Sequence, residues 1–157
     1  MARRWKLEQV QTIPRPRNEV FAFFADAHNL QRLTPDFLGF QILTPPPIEM
    51  RAGTLIDYRI RLGGIPLRWR TLIECFEPGI RFVDVQLRGP YRYWHHLHEF
   101  EDAPEGTRMR DVVHYELPLG PLGTLARQFL VRRSLERIFA FRRQAIETLW
   151  GRGQEAP

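Results

Sequence analysis

A helical pattern running from Pro121 to Trp150 constrains this chain more than any other stretch. Leu135, Ile138, Phe139, Ala145, Ile146 and Leu149 recur at spacings of three and four, which predicts one apolar helix face. Pro121 is tolerated in a first turn, and Gly151 supplies a stop. The upstream apolar set, Leu122, Leu125, Ala126 and Phe129, is rotated from that face by roughly a third of a turn. A bend near Val131–Ser134 is therefore expected, or a first half that packs against something different. Thirty helical residues span about 45 Å, and so long an apolar face needs a broad sheet to cover it. Arg142 falls near the middle of that face. Either its stem snorkels outward or its guanidinium enters the interior and could hold an anionic ligand group.

The upstream chain supplies the strands. Trp5–Ile13 reads as a first strand, ended by Pro14 and Pro16. Glu19–Ala25 predicts a short helix, and Leu30 and Leu33 a second one after the cap-like Asp26 and Asn29. Phe37–Thr44 is expected to be a strand, followed by the stiff run Pro45-Pro46-Pro47. Leu55–Leu62 and Leu67–Phe76 alternate around the turn signal Gly63-Gly64. That alternation puts Ile56, Tyr58, Ile60 and Leu62, and across the turn Leu67, Trp69, Thr71, Ile73 and Cys75, opposite Arg59, Arg61, Arg68 and Arg70, which share the solvent face. Arg81–Leu87, Tyr91–Glu101 and Thr107–Leu117 follow, separated by Pro78-Gly79, Gly89-Pro90 and Glu105-Gly106. About seven strands with hairpin-length connections make an antiparallel sheet, and the class is α+β. Residues 1–151 read as one domain and 152–157 as a loose tail.

Charge and cysteine content narrow the function. The formal charge is +5, and Lys6 is the only basic residue besides histidine that is not arginine. Acidic residues are interspersed and no block of five like charges occurs, which argues against nucleic acid as the partner. Cys75 is alone, so no intrachain disulfide forms. The basic N-terminus is not followed by an apolar signal core, and no apolar run is long enough to cross a membrane. These features point to a cytoplasmic protein. The oligomeric state is not legible.

The stretch Tyr91–Phe100 carries the chemistry. Period two places Trp94, His96, His98 and Phe100 on one face, and the two aromatics make that face the inner one. In the next strand Met109, Asp111, Val113, Tyr115 and Leu117 form the apolar set, so Asp111 and Tyr115 join the same interior. For Arg81–Leu87 either Phe82, Asp84 and Gln86 face inward, or Val83, Val85 and Leu87 do. Two histidines and an aspartate in a core must bond one another, water or a ligand, since an unpaired buried polar group costs about 2–7 kcal/mol. A closed internal network without a ligand is one solution. A cavity between a curved sheet and the long helix is another. His-x-His plus a carboxylate could also supply three metal ligands, but spacing of two alone is a weak signal, and neither metal nor cofactor is expected. There is no phosphate loop, zinc-protease motif, G-x-S-x-G or dinucleotide fingerprint.

The run E-V-F-A-F-F-A-D-A-H-N-L, together with G-T-L-I-D-Y-R-I-R, G-I-P-L-R-W-R, R-F-V-D-V-Q-L-R-G-P-Y, W-H-H-L-H-E-F and L-P-L-G-P-L-G, resembles the START-like (SRPBCC) superfamily. Within it the chain is similar to a bacterial polyketide cyclase/dehydrase-like branch. The resemblance covers essentially the whole chain and implies the helix-grip fold, a curved sheet wrapped round a C-terminal helix over a deep ligand cavity. It also implies that Phe82, Asp84 and Gln86 are the inward set of their strand. Many members end the second short helix with Trp, whereas this chain has Leu33-Thr34-Pro35, so its cavity mouth near Leu30–Phe40 departs from that pattern.

The function expected is binding of a largely apolar small molecule, such as a lipid, isoprenoid or aromatic polyketide-like compound. Tyr58, Trp69, Phe82, Trp94 and Phe100 would form walls, and Asp84, Gln86, His96, His98, Asp111, Tyr115 and Arg142 would provide polar contacts. A cyclase/dehydratase would use His96 or His98 as base, Asp111 to orient it and Tyr115 as acid. An interaction module would instead use the hairpin arginines against RNA or a membrane surface. Superfamily membership does not decide among these.

Overall fold

The computed structural model describes residues 3–118 and 124–153, with side chains of the final helix from Gln128 onward. Seven strands form one antiparallel sheet: β1 (Trp5–Ile13), β2 (Gln41–Ile42), β3 (Leu55–Leu62), β4 (Ile65–Glu77), β5 (Arg81–Arg88), β6 (Tyr93–Ala103) and β7 (Gly106–Glu116). Their order is β1-β7-β6-β5-β4-β3-β2, so the first strand pairs with the last. Helix α1 (Arg17–Phe24) and two 3₁₀ helices, Ala27–Leu33 and Asp36–Leu38, lie between β1 and β2. Asp26 caps the first 3₁₀ helix by accepting a hydrogen bond from the backbone N–H of His28 at 3.0 Å. Helix α2 (Thr124–Trp150) closes the structure.

The connection between Phe37 and Thr44 departs from expectation. Only Gln41 and Ile42 pair as a strand, and Asp36–Leu38 form a 3₁₀ turn that ends at Gly39 in the left-handed region. Pro45, Pro46 and Pro47 interrupt any longer ladder because proline has no N–H to donate. The hairpin at Gly63-Gly64 is as expected. Both glycines have positive φ, 57° and 83°, the conformation a two-residue turn needs to match the twist of its strands. The register Asp57↔Arg70 and Arg59↔Arg68 puts all four hairpin arginines on the outer face.

The β4–β5 ladder has two irregularities, one that leaves Leu87 of β5 unpaired opposite Arg70 and Thr71 and one that leaves Glu74 of β4 unpaired between Ile73 and Cys75. Such bulges bend a strand and increase its twist. Across the concave side, α2 runs as one continuous helix through Val131–Ser134. Phe129 is left exposed, while Pro121 and Leu122 and the side chains of Leu125 and Ala126 fall outside the described residues. The buried stripe is Leu135, Phe139, Arg142 and Ile146, at spacings of four, three and four. Ile138 and Leu149 are only half-buried at its margin. Gly151 ends the helix, its N–H bonded to the Glu147 carbonyl at 2.8 Å. The expected tail beyond Gly153 lies outside the described residues.

Two apolar clusters hold helix to sheet. At one end Ile146 packs with Ile13, Val20, Phe21, Phe24, Phe82, Phe100 and Met109. Further along, Leu135 and Phe139 pack with Trp94, Val113 and Tyr115. No helix among the described residues is long and apolar enough to cross a membrane.

Candidate functional site

Between the two clusters lies a cavity of about 180 Å³. Its walls come from the concave face of β3–β6, the 3₁₀ segments and α2. Leu30, Leu33, Leu38, Ile60, Leu135 and Ile138 line it, with the aromatic rings of Phe40, Tyr58, Trp69, Tyr91, Trp94 and Phe139. Its polar end is Asp84, His96, His98 and Arg142. A smaller space of about 50 Å³, also bordered by Asp84, His98 and Arg142, extends toward Phe24, Phe82 and Met50.

The strand register builds the polar end. Asp84 pairs with His96 across β5 and β6, and His98 pairs with Asp111 across β6 and β7. The His96 and His98 rings stack with centroids 3.7 Å apart. His96 Nε2 donates to Asp111 Oδ1 at 2.9 Å, and its Nδ1 lies 3.6 Å from Asp84 Oδ2. His98 Nε2 donates to Asp84 Oδ2 at 2.6 Å, and its Nδ1 is 3.2 Å from Asp111 Oδ1. Arg142 reaches in from α2, with Nη2 3.5 Å from Asp111 Oδ1 and 3.4 Å from His98 Nδ1. Aromatic rings bracket the group. Phe82 stacks on His98 at 4.1 Å, Phe139 meets His96 at 5.7 Å, and Arg142 sits 5.0 Å over the Phe24 ring.

Burial and charge set the protonation states. Burial works against the Asp111 carboxylate, but the Arg142 guanidinium and the bonds from His96 and His98 outweigh it and hold the carboxyl well below its ordinary range. Burial likewise opposes the Asp84 carboxylate, yet His96 and His98 lower it overall. The two imidazoles move apart. Burial, reinforced by the neighbouring His98, pushes His96 down. For His98 burial acts in the same direction, but the bonds to Asp111 and Asp84 win and raise it. With His98 protonated, two carboxylates face two cations and the buried group is neutral.

Not every residue expected at the site reaches the cavity. Tyr58, Trp69, Asp84, Trp94, His96, His98 and Arg142 line the main cavity, and Phe82 borders its smaller extension. Asp111 lies behind the imidazoles and lines neither space. Phe100 has the inward parity but sits deeper along β6, within the apolar cluster under α1. Tyr115 also points inward, but toward the opposite end, where it borders a separate groove with Trp5 and Arg132. It is therefore not placed to act as an acid in the cavity. Gln86 is half-buried near the end of β5 and clamps the following turn. Its Nε2 donates to the Tyr91 carbonyl at 2.7 Å, and its Oε1 accepts from the Tyr91 N–H at 3.2 Å. That clamp sets Tyr91 on the wall, a role that sequence reasoning missed, although the adjacent Gly89-Pro90 turn was its signal.

A curved antiparallel sheet gripping a C-terminal helix over an internal, mostly apolar cavity defines the START-like, helix-grip class of proteins. The chain belongs to the family described as polyketide cyclase / dehydrase and lipid transport, whose model matches residues 13–142. No curated protein matches it in sequence. Among solved structures it is similar to the Zhui aromatase/cyclase from a Streptomyces species, with 13% identity, 92% of each chain covered and a TM-score of 0.72. It is also similar to a Chromobacterium violaceum protein, with 12% identity, 94% of this chain and 98% of that one covered and a TM-score of 0.71. A third neighbour, from Thermus thermophilus, has 18% identity, 94% and 99% coverage and a TM-score of 0.67. At these identities the likeness is one of fold.

Proposed function

We propose that the chain binds a small molecule with an apolar, aromatic or isoprenoid body and at least one oxygen acceptor. The observation that carries this reading is the cavity's asymmetry. Its walls are mostly aliphatic and aromatic, and the side chains of Asp84, His96, His98 and Arg142 meet in one cluster on its lining. Two buried donors of lining residues, Trp69 Nε1 and Arg142 Nε, have no hydrogen-bond partner among the described residues. Arg142 and the imidazoles of His96 and His98 line the cavity as donors, so a carbonyl, phenolate or carboxylate oxygen is the complementary ligand group. The test is native mass spectrometry of the purified full chain, joined to a titration with the fluorescent anionic probe anilinonaphthalene sulfonate. A retained organic molecule and saturable probe binding are expected. A chain that neither retains a ligand nor binds the probe at one site would contradict the reading.

A second reading, turnover of the cyclase/dehydratase type, is favoured by one observation. The two stacked imidazoles at the polar end are shifted in opposite directions, His98 toward protonation and His96 away from it. His98, which holds a proton more readily, and His96, which holds one less readily, can serve as acid and base toward a carbonyl compound. The aromatase/cyclase among the structural neighbours makes a poly-carbonyl compound the first substrate class to try. His98→Gln should abolish turnover while leaving the far-ultraviolet circular dichroism spectrum intact.

A further inference from the structure

Asp111 holds both imidazoles by the nitrogens that face away from Asp84. His96 Nε2 and His98 Nδ1 lie 2.9 and 3.2 Å from the same oxygen, Asp111 Oδ1. The opposite nitrogens, His96 Nδ1 and His98 Nε2, therefore turn toward Asp84 Oδ2, at 3.6 and 2.6 Å. These three atoms all lie within 4.8 Å of one another. Asp84, His96 and His98 line the cavity, and Asp111 does not. We propose that Asp84, His96 and His98 bind a divalent first-row transition-metal ion, with Asp111 as the outer carboxylate that orients both histidines.

The donor chemistry selects the class of ion. Two imidazoles and one carboxylate suit Zn²⁺, Co²⁺ or Fe²⁺, whereas Ca²⁺ and Mg²⁺ prefer shells built of oxygen. Three protein ligands leave the remaining positions open toward the cavity, where a ligand oxygen or water could enter. A carboxylate hydrogen-bonded to the far nitrogen of a metal-binding histidine is the usual second layer of such sites. Here one carboxylate serves two histidines. The ion would take the place of the proton between His98 Nε2 and Asp84. Bonds of about 2.0–2.1 Å to the ion require those two atoms to separate slightly, which a small side-chain rotation supplies. Arg142 opposes a cation, but it lies against Asp111 at 3.5 Å, and two carboxylates against one guanidinium leave a net negative charge for the ion to meet. The site does not depend on the identity of the organic ligand.

The test uses the full chain, freed of metal with a chelator and titrated with Co²⁺, then with Zn²⁺ in competition. Expected are saturation at one ion per chain, visible absorption bands of nitrogen-ligated Co²⁺ that Zn²⁺ abolishes, and a melting temperature that rises with metal concentration. Loss of an outer partner of a metal ligand costs about 10–100-fold, so loss of a ligand itself in Asp84→Asn or His96→Gln should weaken binding by at least that much. On the outer face of the sheet His95 lies 3.7 Å from Glu74, and His95→Gln should change nothing. Absence of saturable Co²⁺ binding to the unmodified chain would overturn the proposal, whatever the folding of the variants. So would binding that survives Asp84→Asn and His96→Gln but is lost in His95→Gln.

Discussion

Arg142 and Asp111 are both buried, and Nη2 of the one stands 3.5 Å from Oδ1 of the other. The contact ties the middle of α2 to β7 through charge, in the gap between two apolar clusters. It also explains why a helix face that is otherwise Leu135, Phe139 and Ile146 carries an arginine.

Asp111→Asn keeps the shape of the side chain and one acceptor oxygen but leaves the buried Arg142 without its carboxylate and removes the negative charge shared by His96 and His98. Breaking a buried pair from one side costs about 3–5 kcal/mol. The midpoint of urea unfolding should fall accordingly. An unchanged midpoint would mean that Arg142 relaxes to solvent.

Ile146 is 1% exposed, in the cluster with Phe24, Phe82 and Phe100. Ile146→Ala should destabilise by about 2–5 kcal/mol. Ile138→Ala should cost less, because Ile138 is half-buried and faces the cavity. Thermal melts of the two variants side by side check the ranking.

Ile138→Trp fills the cavity from α2, one turn before Arg142. Binding of anilinonaphthalene sulfonate should weaken at least tenfold, about 1.4 kcal/mol, while the secondary structure stays intact. Equal affinity in both proteins would place the probe elsewhere.

On the outer face of the hairpin, Arg70 is paired with Asp57 at 2.8 Å and both are well exposed. Solvent-exposed pairs of this kind contribute little to stability. Arg70→Ala should leave the melting midpoint and probe binding unchanged within error. A large drop in either would give the arginine face a role beyond solvation.

What the sequence determined by itself was local. A period of two in Leu55–Leu62 and Tyr93–Phe100, glycines at 63 and 64, and a period of 3.6 in Leu135–Ile146 decided strands, turn and helix, because backbone geometry alone makes those patterns. They also decided which face of β6 turns inward, since Trp94 and Phe100 have no comparable alternative. Depth along a strand was not legible. Phe100, Tyr115 and Gln86 share the parity of cavity residues, but whether such a residue meets the cavity, a cluster or a turn depends on what α1 and α2 place above it.

The meeting of Asp84, His96, His98, Asp111 and Arg142 was decided only by the tertiary structure. Either parity of β5 buries apolar side chains, so its own residues could not choose between Asp84 and Val83. The pairing of Asp84 with His96 makes that choice, because an inward carboxylate gains two imidazole partners there. The pattern of its own helix likewise left Arg142 free either to snorkel or to enter. It enters because Asp111, on a strand far away in sequence, stands where the guanidinium can neutralise it.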